Sequence, residues 1–206
     1  MTTSLARFAG LALAGIARLV TGAQGHWIGS APMAEQRIYF ANHQSHFDWV
    51  LIWASLPREL RAATRPIAAR DYWTASRFKR WLTSAVFNAV YVSRVRSDDE
   101  DPLEPLVEAL SAGDSLVIFP EGTRSAGGEP QPFKTGLYHL AERFPELPLV
   151  PAWIDNVQRV MPKGEVVPVP ILCSVSFGAP LRLAAGEDKR AFLARARDAV
   201  LALRPG

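Results

Sequence analysis

Apolar residues along this chain alternate between short continuous runs and sets spaced for one face of a helix. Residues 37–41 (RIYFA), 66–69, 89–92, 115–119 (SLVIF), 149–154 and 171–177 are apolar runs of strand length. The run at 115–119 has no polar interruption after Ser115, the pattern of a strand covered on both faces. Between these runs, 48–56 carries enough apolar residues for a short buried helix stopped by Pro57. Over 74–87, Phe78, Trp81, Leu82, Ala85 and Val86 recur at i, i+3, i+4, i+7 and i+8, which predicts a helix with one apolar face. Asp101 followed by Pro102 reads as an N-cap with proline at the first helical position, and Leu103, Leu106, Val107 and Leu110 continue that helix to Gly113. Further helices are expected over 136–144 and, with amphipathic spacing, over 188–203. Strands alternating with helices predict a single α/β domain with a mostly parallel central sheet flanked by helices. In such open sheets, sites form outside the carboxyl ends of the strands. The residues after 37–41, 89–92, 115–119 and 149–154 are therefore the places to search.

The amino end adds a membrane question. Residues 5–20 (LARFAGLALAGIARLV) are apolar except for Arg7 and Arg18, with an uninterrupted run over 8–17. A spanning helix needs about 20 apolar residues, so this run is too short to cross a bilayer unaided. Arg18 closes the apolar core without a small-x-small cleavage site directly after it, which counts against a removed secretory signal. The preferred reading is a helix lying in the membrane interface with both arginines snorkelling to phosphates; the competing one is a plain amphipathic core helix. This divides the chain into a membrane-associating helical segment over 1–30 and the α/β domain over 31–206, with no transmembrane helix expected elsewhere.

At 206 residues, 49% hydrophobic and 21% charged, the composition is that of one globular domain and excludes a disordered chain. A single cysteine, Cys173, excludes a disulfide framework and a Cys-based zinc site; it lies in a strand-like run without a neighbouring His and reads as core. The net charge of +3 hides an uneven layout. Over 58–96 nine Lys or Arg face two acids, whereas 97–121 holds eight acids and no base. Anionic groups are the partners this field favours. Residues 70–81 (RDYWTASRFKRW) interleave cations with aromatic rings. That composition suits a membrane interface, or a core helix with solvated cations; no nucleic-acid recognition motif accompanies it.

Three of the predicted strand ends carry candidate chemistry. After 37–41 comes Asn42-His43-Gln44-Ser45-His46-Phe47-Asp48. Five residues apart on a continuous helix, His43 and Asp48 would point about 140° from one another. If the chain turns at His43 and a helix starts near 45–46, Asp48 lies in its first turn and reaches back. A carboxylate on one imidazole nitrogen fixes the tautomer and raises the basicity of the other, which makes a general base. The spacing is equally served by a capping Asp48 and a hydrogen-bonded core His43. After 115–119 comes Pro120-Glu121-Gly122-Thr123-Arg124-Ser125, where Gly122 permits a tight turn and Arg124 offers a fork of donors suited to phosphate, or a solvated surface arginine. Ser93-Arg94 follows 89–92, again a cation at a strand end.

Together these segments resemble the glycerolipid acyltransferase family. Asn42, His43, Gln44, Ser45 and Asp48 match that family's NHxxxxD motif, and 119–125 (FPEGTRS) matches its third motif at every position. The second motif is met in part by 88–94 (NAVYVSR), with Asn88 where Gly is usual and Tyr91 where Phe is, and Arg94 kept. Leu149-Val150-Pro151 fits the fourth, Phe133-Lys134-Thr135-Gly136 resembles a Phe-Lys-x-Gly element, and Pro162-Lys163-Gly164 a Pro-Lys-Gly turn. The resemblance implies transfer of a fatty acyl group from acyl-CoA or acyl carrier protein to the free hydroxyl of 1-acyl-sn-glycerol-3-phosphate, giving phosphatidate, with no cofactor. It implies His43 as the base and Asp48 as its orienting partner. Arg94 and Arg124 then hold the acceptor phosphate, with Glu121, Gly122 and Thr123 in the substrate-binding turn and Lys134 as a further phosphate contact. Backbone amides near the first motif are the expected oxyanion donors. A metal site using His43, His46 and Asp48 is disfavoured because the position of His46 varies in the family. The implied setting is the cytoplasmic face of the cell membrane, peripheral or monotopic, with a lysophospholipid, the acyl donor and the membrane surface as partners and no nucleic acid. A different lysolipid acceptor such as a lyso-aminolipid, a lipid hydrolase and a non-catalytic lipid-binding domain are the rivals.

Overall fold

A computed structural model of the chain describes residues 24–45, 48–93, 101–125, 129–155 and 173–205, together with Gly10, Ala12 and Gly15. Seven strands form one sheet: β1 (Gln24–Trp27), β2 (Ile38–Ala41), β3 (Thr64–Ala69), β4 (Val90–Val92), β5 (Ser115–Ile118), β6 (Leu149–Asp155) and β7 (Ser174–Phe177). Their order is β1-β7-β6-β2-β5-β3-β4. Pairing is parallel throughout except between β6 and β7, so β1 and β7 run against the other five. The single α/β domain with a mostly parallel sheet is therefore as the apolar runs predict.

Period-two alternation sends neighbouring residues to opposite faces. Tyr39, Ala41, Val117, Val150 and Ala152 pack with helix α1 (Asp48–Ser55), all eight residues of which are buried. Ile38, Phe40, Leu116, Ile118 and Leu149 face the other way, onto α5 (Glu104–Ser111), α6 (Gly136–Arg143) and α7 (Lys189–Leu201). Three shorter helices complete the described set: α2 (Arg58–Ala62), α3 (Arg70–Trp73) and α4 (Arg77–Trp81). Asp188 caps α7 by accepting from the amides of Arg190 at 2.8 Å and Ala191 at 3.0 Å. Asp101 accepts from Leu103 N at 2.9 Å in the turn that leads into α5, so the helix proper starts two residues later than the cap signal suggests.

Three expectations change. Gln24–Trp27 falls within the segment assigned to the amino-terminal helix, yet it is an edge strand in register with Ser174–Phe177. Its small and polar residues carry no apolar run, and an edge position does not demand one. The continuous apolar helix over 74–87 is replaced by α4 followed by a π-helical turn at Leu82–Val86. The wider turn re-phases the side chains. Leu82 and Val86 of the expected face still pack against the core and Thr83 and Phe87 are buried, while Phe78 is 67% and Trp81 37% exposed. Cys173 is buried but precedes β7 rather than lying in it; residues 171–172 are outside the described residues. The amino-terminal helix over 5–20 lies outside the described residues apart from Gly10, Ala12 and Gly15, which are helical. Among the described residues no helix is long and apolar enough to cross a membrane.

Candidate active site

Residues 42–45 leave the carboxyl end of β2 at the centre of the sheet, and α1 begins at Asp48. Asn42 is 1% exposed and its side chain bonds both polar groups of Ile154, accepting from its N–H at 2.8 Å and donating to its carbonyl at 3.1 Å. The chain then turns away at His43. Asp48 sits in the first turn of α1 with its carboxylate fully buried, and Oδ2 meets His43 Nδ1 at 2.8 Å. The same oxygen accepts from Gln44 N at 2.6 Å and Ser45 N at 2.8 Å. Asp48 thus ties down the turn before its helix and holds the imidazole at once. Asp48 Oδ1 meets no donor among the described residues.

The loop after β5 grips the His43 peptide. Glu121 is 2% exposed; Oε1 accepts from His43 N at 2.7 Å and Oε2 from Gln131 N at 2.7 Å. Burial pushes the Glu121 carboxyl above the usual glutamate range, against the pull of those two amides. Ser125 donates both its amide, at 2.8 Å, and its hydroxyl, at 3.1 Å, to the His43 carbonyl. Phe119 stacks on the imidazole with centroids 4.3 Å apart. The ring is thereby fixed through its peptide, one face and Nδ1. Nε2 makes no hydrogen bond among the described residues, and the side chain is 18% exposed. A carboxylate-held imidazole with one open nitrogen is equipped to take a proton from a hydroxyl.

These contacts bear on two expectations. Both oxygens of Glu121, at the start of the turn, are engaged by backbone amides inside the protein. The amides of His43, Gln44 and Ser45 are already donated to carboxylates and are not free to hold an oxyanion. Glu121 and Ser125 as supports of His43 are not visible in the sequence, because those contacts join residues 78 and 82 positions apart.

Gly122, Thr123 and Arg124 form an exposed turn between Glu121 and Ser125, which both hydrogen-bond the His43 peptide. Gly122 has φ +69°, and a Cβ there would stand 2.6 Å from Lys134 Nζ, whose side chain crosses the turn. Lys134 N also donates to Pro120 O at 2.8 Å. The cations of Arg124 and Lys134 are therefore carried by adjoining backbone beside His43. Arg94, His46 and the Pro162-Lys163-Gly164 segment lie outside the described residues; Ser93, at the end of β4, is exposed. Burial pushes the Cys173 thiol up to about 11, so it stays protonated and is no nucleophile at neutral pH.

A carboxylate-held imidazole at the carboxyl rim of an α/β sheet, beside a cationic turn, is an arrangement able to take a proton from a hydroxyl. The chain belongs to the Acyltransferase family, whose model matches residues 26–155. Among curated relatives, 1-acyl-sn-glycerol-3-phosphate acyltransferase alpha of Homo sapiens is 31% identical over 138 residues, 65% of this chain and 46% of that protein. The 1-acyl-sn-glycerol-3-phosphate acyltransferase of Cocos nucifera is 28% identical over 188 residues, 83% of this chain and 56% of that protein. The chain spans about half the length of the curated relatives it matches. The solved structure of the 1-acyl-sn-glycerophosphate (LPA) acyltransferase PlsC from Thermotoga maritima superposes with a TM-score of 0.70 at 23% identity, covering 94% of this chain and 78% of that one.

Proposed function

We propose that the protein transfers a fatty acyl group from a thioester, acyl-CoA or acyl carrier protein, to the free hydroxyl of 1-acyl-sn-glycerol-3-phosphate, giving phosphatidate. The observation that carries this reading is the 2.8 Å contact between His43 Nδ1 and Asp48, which leaves Nε2 open. Nε2 takes the hydroxyl proton while the oxygen attacks the thioester carbonyl. Asp48 stabilises the imidazolium that results. The tetrahedral intermediate expels the thiolate, and the imidazolium returns the proton to the departing sulfur. Arg124 and Lys134, with Arg94, bind the acceptor phosphate, and Glu121 acts by holding the His43 peptide. The acyl donor is a substrate, and the scheme uses no cofactor and no nucleic acid. The lipid acceptor puts the enzyme at a membrane surface, which we assign to the cytoplasmic face of the cell membrane.

Purified protein supplied with radiolabelled acyl-CoA and a panel of lysolipids tests the reading. Labelled phosphatidate should form from lysophosphatidate. Transfer confined to a phosphate-free lyso-aminolipid, or release of free fatty acid alone, would refute it. Two substitutions separate the roles in the turn. Arg124→Ala should raise the KM for lysophosphatidate about tenfold with kcat nearly kept, since a charge-assisted hydrogen bond is lost in ground and transition states alike. Glu121→Gln should do the reverse. Its amide must point an N–H at the amide of either His43 or Gln131, and a buried mismatch of roughly 1–3 kcal/mol corresponds to about 5- to 160-fold in kcat if it displaces the base. A raised KM with unchanged kcat in that variant would return Glu121 to the phosphate site.

A further inference from the structure

Phe78 and Trp81 are the two large apolar side chains of α4 that the π-helical turn leaves outside the core. They are 67% and 37% exposed, and their ring centroids stand 6.2 Å apart, so they form one patch rather than two scattered residues. Cations accompany it on α3 and α4. Arg70, Arg77 and Arg80 are exposed and Lys79 is half-buried, its ammonium 3.7 Å above the Tyr72 ring. Asp71 is the only acid in residues 70–81.

The patch sits on the working side of the sheet. Helices α3 and α4 follow the carboxyl end of β3, which runs parallel to β5 and, through it, to β2, the strand that delivers His43. Trp73 packs edge-on against Trp49 at 5.6 Å, and Trp49 is the residue after Asp48. A second observation points the same way. Gly10, inside the uninterrupted apolar run 8–17, is buried against the side chains of Val86 and Trp53; a Cβ on it would lie 3.5 Å and 3.7 Å from them. Val86 ends the π-helical turn that continues from α4. Gly10 and the exposed aromatics thus adjoin the same short helical stretch.

We propose that Phe78 and Trp81, together with Arg70, Arg77, Lys79 and Arg80 of the same two short helices, are the surface by which the protein seats itself on an anionic lipid bilayer. The rings enter at headgroup depth and the cations meet lipid phosphates. This places the open nitrogen of His43 on the side of the molecule from which a lipid acceptor arrives. The docking itself needs no catalysis, and both tests are made without substrate, so they stand or fall apart from the acyl-transfer reading.

The first test co-sediments the full chain with vesicles of phosphatidylcholine alone or of phosphatidylcholine with phosphatidylglycerol. The protein should partition onto the anionic vesicles far more strongly than onto the neutral ones. Lys79→Gln with Arg80→Gln should lower that partition about 30-fold, at the contribution usual for two basic residues near an anionic surface. Phe78→Ser with Trp81→Ser should lower it at least tenfold, with an unchanged far-ultraviolet circular dichroism spectrum showing that the fold is kept. The second test uses the conservative Trp81→Phe. Vesicles carrying brominated acyl chains should quench part of the wild-type tryptophan fluorescence, and that part should vanish in Trp81→Phe. Equal quenching in both proteins, equal partition of the serine variant, or a change from dimer to monomer in that variant in solution would each overturn the proposal, the last by making the patch a contact between copies.

Discussion

Replacing His43 with alanine should lower acyl transfer by about 10²–10⁴-fold, the range over which a positioned general base contributes. The loss should fall on kcat and on kcat/KM alike, because the imidazole acts on the hydroxyl proton only as the carbon–oxygen bond forms. At 1.36 kcal/mol per tenfold this is roughly 3–5 kcal/mol of transition-state stabilisation. Stability should change little. The side chain is 18% exposed, and the contacts that tie this loop down run through the His43 peptide to Glu121 and Ser125, which alanine keeps. Steady-state kinetics with a saturating acyl thioester, alongside a thermal melt, checks both halves. Near-normal turnover in a folded variant would remove His43 from the reaction.

Asp48→Asn should cost about 10²-fold, since the charge opposing the imidazolium goes while the shape of the side chain stays. The amide oxygen can occupy the place of Oδ2 and still accept from Gln44 N and Ser45 N. The amide nitrogen then takes the place of Oδ1, which has no partner to lose among the described residues. Asp48→Ala is a worse test, because it would strand two backbone donors inside the protein and confound catalysis with folding. The two positions act as one unit, so adding Asp48→Asn to His43→Ala should slow the reaction little further. A double variant in which the two losses multiply would mean that Asp48 contributes by a route other than His43.

Much of this arrangement can be read from the chain before any coordinates. The apolar run at 115–119 demands a strand covered on both faces, and β5 lies between β2 and β3. The turn at His43 and the helix start near Asp48 follow from the need to bring two residues together that a continuous helix would hold apart. What stays hidden has a common physical character. The grip of Glu121 and Ser125 on the His43 peptide joins main-chain atoms to distant side chains, and no periodicity records such a contact. The edge strand Gln24–Trp27 escapes notice because its ladder partner β7 lies far along the chain, at Ser174–Phe177, so hydrogen bonding rather than apolar burial makes it a strand. Phe78 and Trp81 mislead for the opposite reason. Their spacing has the right period for a buried face, but the wider turn after Trp81 rotates the face that reaches the core.

The Asn42 side chain has a consequence beyond its place in the motif. The main-chain ladder between β2 and β6 ends at the Ala41 and Ala152 pair, yet Ile154 keeps both its rungs because one carboxamide imitates a peptide unit. That mimicry needs a donor and an acceptor on neighbouring atoms of one planar group. Aspartate, identical in outline, would set a second oxygen against the Ile154 carbonyl. The residue that frees the chain to leave the sheet is therefore chosen for its bipolar head, and its nearest isostere fails there on electrostatics alone.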